Sequence, residues 1–244
     1  MQEIFLIKNI KMSLESNSIL KKKFNKKTYI QYVNYFKKIG YKFVNYKKFK
    51  NNKCILLRHD VDFSIDLAKE IATWDKQLKI KSHFFFLYDS QFYNIFEDKN
   101  IESIKFIKKL GHSVGFHINA KKNSKLIKKE MDLLFQIFLI QDCKLDKIYS
   151  VHKYGSNKRR ILIKGYKNFY SNPLFNLYYA DSGGQFRYGN PLANKNIILK
   201  KISFQINLHP IWWVFNQSKK DKIKKIKNIM LNNFNKEIKS FKLI

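Results

Sequence analysis

The sequence predicts one α/β domain of parallel strands joined by helical crossovers, and two observations carry that reading. Short apolar runs alternate with stretches whose apolar residues recur at helical spacing, and the unusual polar residues fall where the runs end. This rhythm fits an open doubly wound sheet or a closed barrel, and both place their sites beyond the carboxyl ends of the strands. At 244 residues the chain is long enough for a full core in a single unit. We divide it into a lysine-rich lead over 1–27, expected to be partly loose, and a main domain over 28–244.

Within the domain, Ile30, Val33, Phe36 and Ile39 mark a helix over 28–39 that Gly40 stops, and 41–44 reads as a strand or edge segment. Cys54-Ile-Leu-Leu57 is a continuous apolar run, the pattern of a strand covered on both faces, and it ends in Arg58, His59, Asp60 and Asp62. Ile65, Ala68, Ile71, Ala72 and Leu78 then form the stripe of a helix that Ser64 or Asp62 can cap. A strand over 82–87 and a helix over 101–110, ended by Gly111, repeat the pattern. So do a strand over 112–117 and a helix over 124–138 with Ile127, Met131, Leu134 and Phe138 on one face. Later strands are expected at 148–151, 178–180 and 203–208. Ser218-x-x-Asp221 matches a capping box before Ile223, Ile226, Met230 and Phe234, an amphipathic terminal helix.

The net charge of +31 invites a nucleic-acid reading, since lysines that neutralise phosphates bind without regard to sequence. Lysine, however, vastly outnumbers arginine and is spread along the whole chain instead of gathering on one arm, the pattern of a solvated surface. No specific nucleic-acid partner is expected, whereas attraction to an anionic membrane surface or a polyanionic substrate is. Cys54 and Cys143 form no C-x-x-C pair, so neither a disulfide framework nor a zinc ribbon is expected. Lys8 and Lys11 interrupt the apolar start at Ile4, and no run approaches the roughly 18 apolar residues of a membrane span. The expected address is the cytoplasm.

Alternate side chains of an extended chain share a face, so Asp60 and Asp62 point the same way while Val61 packs on the other. Two carboxylates in one small space repel unless a cation lies between them or one holds a proton. His117, His152, Asp181 and His209 each end a separate predicted strand, and a barrel or sheet would bring them to one rim. His59, His83 and His112 are read as structural. Carboxylate oxygen with imidazole nitrogen suits Zn²⁺ or another borderline divalent ion, which acidifies water or polarises a carbonyl.

These residues resemble the polysaccharide deacetylase-like proteins that share the NodB homology domain of carbohydrate esterases, over about 55–213. Arg58-His-Asp-Val-Asp62 resembles the first motif of the H-D-V-D branch, and Gly111-His-Ser-Val-Gly-Phe-His117 resembles the G-H-E-I-G-x-H of the second. Ser150-Val-His-Lys-Tyr-Gly155 is similar to the third motif, Asp181-Ser-Gly-Gly184 to the fourth, and Leu208-His209-Pro210 to the terminal L-x-H. The resemblance implies a distorted (β/α)₇ barrel that hydrolyses the N-acetyl group of a sugar with a divalent metal. It implies Asp60 as catalytic base, Asp62 and His117 as metal ligands, and His209 as general acid.

Lys121 stands where the family's second ligand histidine follows the first, and a charged lysine cannot ligate; His152 is the expected third protein ligand, with Asn119 or a water as the alternatives. Val61 separates Asp60 from Asp62, so the two can exchange roles. Arg58, His152, Asp181, Arg187 (beside Tyr188) and Trp212 are the expected substrate contacts. Three function classes follow. The first is a metal-dependent hydrolase acting on an N-acyl amino sugar, with a nucleotide- or lipid-linked precursor of a surface glycan as substrate. The others are a metal-free, inactive barrel that binds a glycan or protein, and a lysine-driven nucleic-acid binder.

Overall fold

The computed structural model describes residues 15–16, 18–19, 23–119, 123–152, 161–171, 174, 177–187 and 189–240. Helix α1 (Lys26–Lys38) starts inside the expected lead because the Asn25 side chain accepts the Thr28 amide at 2.9 Å and caps it there. Its buried face is aromatic, with Tyr29, Tyr32, Tyr35 and Phe36, while Ile30 is only half-buried. Tyrosine can take a buried position when its hydroxyl is satisfied, and that of Tyr29 donates to Asp75 at 2.5 Å.

There follow β1 (Lys42–Phe43), β2 (Cys54–Val61), α2 (Ile65–Gln77), β3 (Ser82–Leu87), α3 (Asp98–Lys109), β4 (Ser113–Asn119) and α4 (Ser124–Ile140). The second half holds β5 (Ile148–His152), β6 (Lys167–Asn168), β7 (Tyr178–Ala180), α5 (Lys195–Lys200), β8 (Phe204–Leu208), α6 (Pro210–Val214) and α7 (Lys219–Ser240). The strands are all parallel in the order β6-β5-β4-β3-β2-β8-β7, with β1 paired to the start of β2. Among the described residues no pairing joins β6 to β7, so the architecture is a distorted (β/α)₇-type barrel with an open seam.

The period-2 alternation of the strands sorts the side chains into two environments. Outward residues Ile55, Leu57, Phe84, Phe86, Val114, Phe116, Ile118, Ile206 and Leu208 are all buried against the helices, each contributing about 1.5–3 kcal/mol. Inward residues Leu56, Phe85 and Ile148, with Phe169 and Leu174, form a separate apolar plug inside the barrel. Further along the same inward faces come Arg58, Asp60, Ser150, Gln205 and Asn207, all buried and polar. β2 is buried along its whole length, as the continuous apolar run predicts, with Ile55, Leu57, His59 and Val61 outward and Leu56, Arg58 and Asp60 inward. Its last polar residues lie within the strand, which runs to Val61.

Candidate active site

His117 from β4, His152 from β5 and Asp62 just past β2 meet at the carboxyl end of the barrel. His117 Nε2 lies 3.0 Å from His152 Nδ1, and Asp62 Oδ1 lies 3.6 Å from the former and 3.5 Å from the latter. Second contacts fix these side chains. His117 Nδ1 lies 2.6 Å from Ser150 Oγ, which donates onward to Asp60 Oδ1 at 3.3 Å. The Ser150 hydroxyl proton is thus committed, His117 carries its own proton on Nδ1, and its Nε2 lone pair faces the cluster. The loop after β3 holds the backbone of the carboxylate, with Tyr93 and Ser90 donating to the carbonyls of Val61 and Asp62 at 2.6 and 3.0 Å.

The three atoms fit a divalent ion. A triangle with those edges has a circumradius of about 2.0 Å, against metal–ligand distances of about 2.0–2.2 Å for Zn²⁺ with nitrogen and oxygen. Asp62 Oδ1 is inaccessible to solvent yet has no hydrogen-bond partner, which a cation would supply. Burial outweighs the neighbouring carboxylates and pushes His117 down to about 4, so its imidazole is neutral, as a ligand must be. Burial opposes the charge of Asp62, but His152, His117 and His209 outweigh it and lower its pKa. Three protein donors, one fewer than a structural zinc site uses, match the count of a catalytic site.

Asp60 lies immediately below, its Oδ2 3.7 Å from His117 Nε2. Arg58, two residues earlier on the same face of β2, grips it bidentately, Nε to Oδ1 at 2.7 Å and Nη2 to Oδ2 at 2.5 Å. Asn207 Nδ2 adds a bond to Oδ2 at 2.9 Å. Burial would raise the Asp60 pKa, but Arg58 above all, then His117 and His209, hold it far below the carboxylate range. Arg58, expected to touch substrate, is fully enclosed. It lies between the rings of Tyr170 and Phe85, with further bonds to Tyr170 and Gln205.

His209, on the far side of Asp62, points Nε2 at Asp62 Oδ2 from 3.9 Å. Its Nδ1 is held at 2.5 Å by Asp181, whose two oxygens also accept the His209 amide and the Trp213 indole N–H. Asp181 is fully buried, so it orients His209 instead of meeting substrate as expected. Burial pulls the His209 pKa down, but Asp181 first and then Asp62 and Asp60 reverse the effect and push it up to about 9.

Two other expected substrate residues stand apart from the cluster. Trp212 is 8% exposed and borders a groove of about 470 Å³ with Phe186 and Gln217, and Arg187 is exposed on the loop after β7 beside Gly183. Lys121, Tyr188 and residues 153–155 of the third motif lie outside the described residues. The three structural histidines are accounted for: His59 pairs with Asp75, His83 bonds the Leu57 carbonyl, and His112 bonds Ser82 and the Ala72 carbonyl. Sequence reasoning missed Ser150, Gln205 and Asn207. The signal for Gln205 and Asn207 was the alternation in Phe204-Gln-Ile-Asn-Leu208, where every second residue is polar, and for Ser150 that in Ile148-Tyr-Ser-Val-His152. A groove of about 710 Å³ opens at the opposite end of the barrel around Tyr46, Phe135 and Tyr166 and touches none of these groups.

No protein-family model matches the chain, and no curated protein matches it. Solved structures do. The chitin deacetylase from the fungal pathogen Colletotrichum lindemuthianum is 18% identical over 74% of this chain and 84% of that one, with a TM-score of 0.51. A peptidoglycan deacetylase from Bdellovibrio bacteriovorus is 17% identical over 78% and 53% of the two chains, with a TM-score of 0.46. A carbohydrate esterase family 4 pseudoenzyme from Bacillus anthracis is 14% identical over 73% and 62%, with a TM-score of 0.43. The first match shows that this chain has the fold of a carbohydrate deacetylase.

Proposed function

We propose that the chain is a metal-dependent hydrolase that removes an N-acetyl or related acyl group from an amino sugar in surface-glycan biosynthesis. The observation that carries this reading is the Asp62–His117–His152 triangle with its unpartnered carboxylate oxygen, beside which His209 Nε2 lies 3.9 Å from Asp62 Oδ2. A divalent ion held there, with Zn²⁺ the best match to the donor set, would acidify a bound water and polarise the amide carbonyl.

The chain's own residues supply the rest. Asp60, bordering the triangle and fixed by Arg58 and Asn207, takes a proton from the attacking water. The same donors cost it basicity, so slow turnover is expected. His209, kept protonated by Asp181, gives its Nε2 proton to the nitrogen as the C–N bond breaks, releasing carboxylate and amine. A second reading, a metal-free barrel that binds a glycan, draws on one observation: His152 Nδ1 and His117 Nε2 are close enough to hydrogen-bond without an ion.

Titrating Zn²⁺ or Co²⁺ into the wild type and His117→Ala, together with an acetate-release screen over N-acetyl amino-sugar conjugates, separates the two. The wild type is expected to bind one ion and release acetate only when loaded, and His117→Ala to bind at least tenfold more weakly. Wild type that takes up no ion, or a variant that binds as well, supports the metal-free barrel.

A further inference from the structure

Helix α7 (Lys219–Ser240) is joined to the domain through its first turns. Lys222 is 3% exposed and its Nζ donates to the carbonyls of Phe24, at 2.7 Å, and Trp212. Ile226 packs against the core, and Lys225 lies 4.3 Å over the Phe215 ring. Large apolar side chains on this helix nevertheless face solvent: Ile223 at 51%, Ile229 at 40%, Met230 at 37%, Leu231 at 49% and Phe234 at 62% exposed. At 100° per residue the exposed Ile223, Met230 and Phe234 fall on one stripe beside the core-facing Ile226, and Ile229 and Leu231 widen it to either side. Continuous apolar surface of this kind on a soluble domain marks a contact face.

We propose that this stripe lies on an anionic lipid surface, with α7 parallel to the membrane plane. Charge selects the occupant. The 22 residues of α7 carry eight lysines against Asp221 and Glu237, and the whole chain carries +31. Exposed Lys220, Lys224 and Lys227 flank the stripe, where long stems lie along the acyl boundary while the ammonium groups reach lipid phosphates. A second copy of the chain would set two such helices against each other and repel itself. A nucleic acid would meet the lysines but leave the apolar stripe in water.

The inference is independent of the catalytic reading and its test uses no metal. Full-length protein is co-sedimented with vesicles of phosphatidylcholine alone and with vesicles that also contain phosphatidylglycerol, at low and physiological salt. Wild type is expected to sediment with the anionic vesicles only, less so as salt rises. Met230→Ser with Phe234→Ser leaves the net charge unchanged and alters only solvent-facing side chains. It should keep its circular dichroism and bind about tenfold or more weakly. Equal binding by that variant would mean attraction of the bulk charge and would overturn the proposal, as would absence of wild-type binding at low salt. A wild-type dimer in light scattering that the double variant dissolves would assign the stripe to a second copy and overturn it equally.

Discussion

Arg58 and Asp60 show how a buried charge pair constrains what a substitution can report. Both side chains are at most 3% exposed, two residues apart on one strand face, and the guanidinium has no other carboxylate in its described contacts. Asp60→Asn therefore leaves a buried cation uncompensated, and we expect a loss of about 3–5 kcal/mol in denaturant unfolding. In the folded fraction, acetate release should fall by about a hundredfold or more, the usual worth of positioned proton transfer. Near-normal turnover would remove Asp60 from the chemistry whatever its effect on stability. Asp181 acts one step further out. In chelator-treated Asp181→Asn the His209 ring should titrate well below about 9, because the largest raising influence is gone while burial remains. Proton NMR of the ring follows this directly, and an unmoved titration would assign the shift to Asp62 and Asp60. That Asp62, His117 and His152 come together was legible because each follows an apolar run to a strand end. The roles of Arg58 and Asp181 were not, since a sequence marks a charged residue without showing whether a partner encloses it.

At the scale of elements, the ligand geometry depends on how β4 and β5 lie together. His117 and His152 are inward residues of these neighbouring strands, and their register pairs His117 with Ser150. Gly115, two residues before His117 on the same face, makes the approach possible: a Cβ there would meet the Ile148 carbonyl oxygen at 2.3 Å. That neighbour is backbone, so it cannot turn aside as a side chain would. Gly115→Ala should part the strands, costing about 1–3 kcal/mol in denaturant unfolding. The metal titration should show weaker binding even though no ligand has changed, and unchanged affinity would mean that the site tolerates a shift between the strands. Helices were read well where one face is apolar throughout, as in α4, whose buried residues are Ile127, Met131, Leu134 and Phe138. Strand limits were read less well. β4 starts at Ser113 and runs to Asn119, because backbone pairing with β5 continues past the histidine.

The whole molecule was legible as parallel α/β from its rhythm, while closure toward a barrel came from resemblance, because no local pattern encodes how far a sheet curls. The polar interior escaped notice for a related reason: inward and outward faces of a parallel strand separate only once the helices are in place. That interior also shapes the pH response of the fold. His83 sits in it fully buried, Nδ1–H donating to the Leu57 carbonyl at 2.8 Å and Nε2 accepting the Tyr46 amide at 3.0 Å. The bond from Tyr46 needs the neutral ring while the one to Leu57 does not, and burial holds the pKa down at about 4. Between the unfolded value of about 6.5 and that folded value, only the unfolded chain takes the proton, so stability falls as pH drops. The full loss from this one group is about 3 kcal/mol. His209 works in the opposite direction, since its raised pKa adds stability that is complete below about 6.5 and is lost as pH rises through about 9. Metal-free protein should thus be most stable near pH 6.5 and weaken on both sides. Denaturant midpoints measured from pH 4 to 9 on wild type and His83→Gln test this, with the variant less stable at neutral pH but flatter by about one proton on the acid side. An acid slope identical in the two proteins would show that His83 takes up its proton without unfolding, and that burial and the Tyr46 bond do not hold the ring neutral.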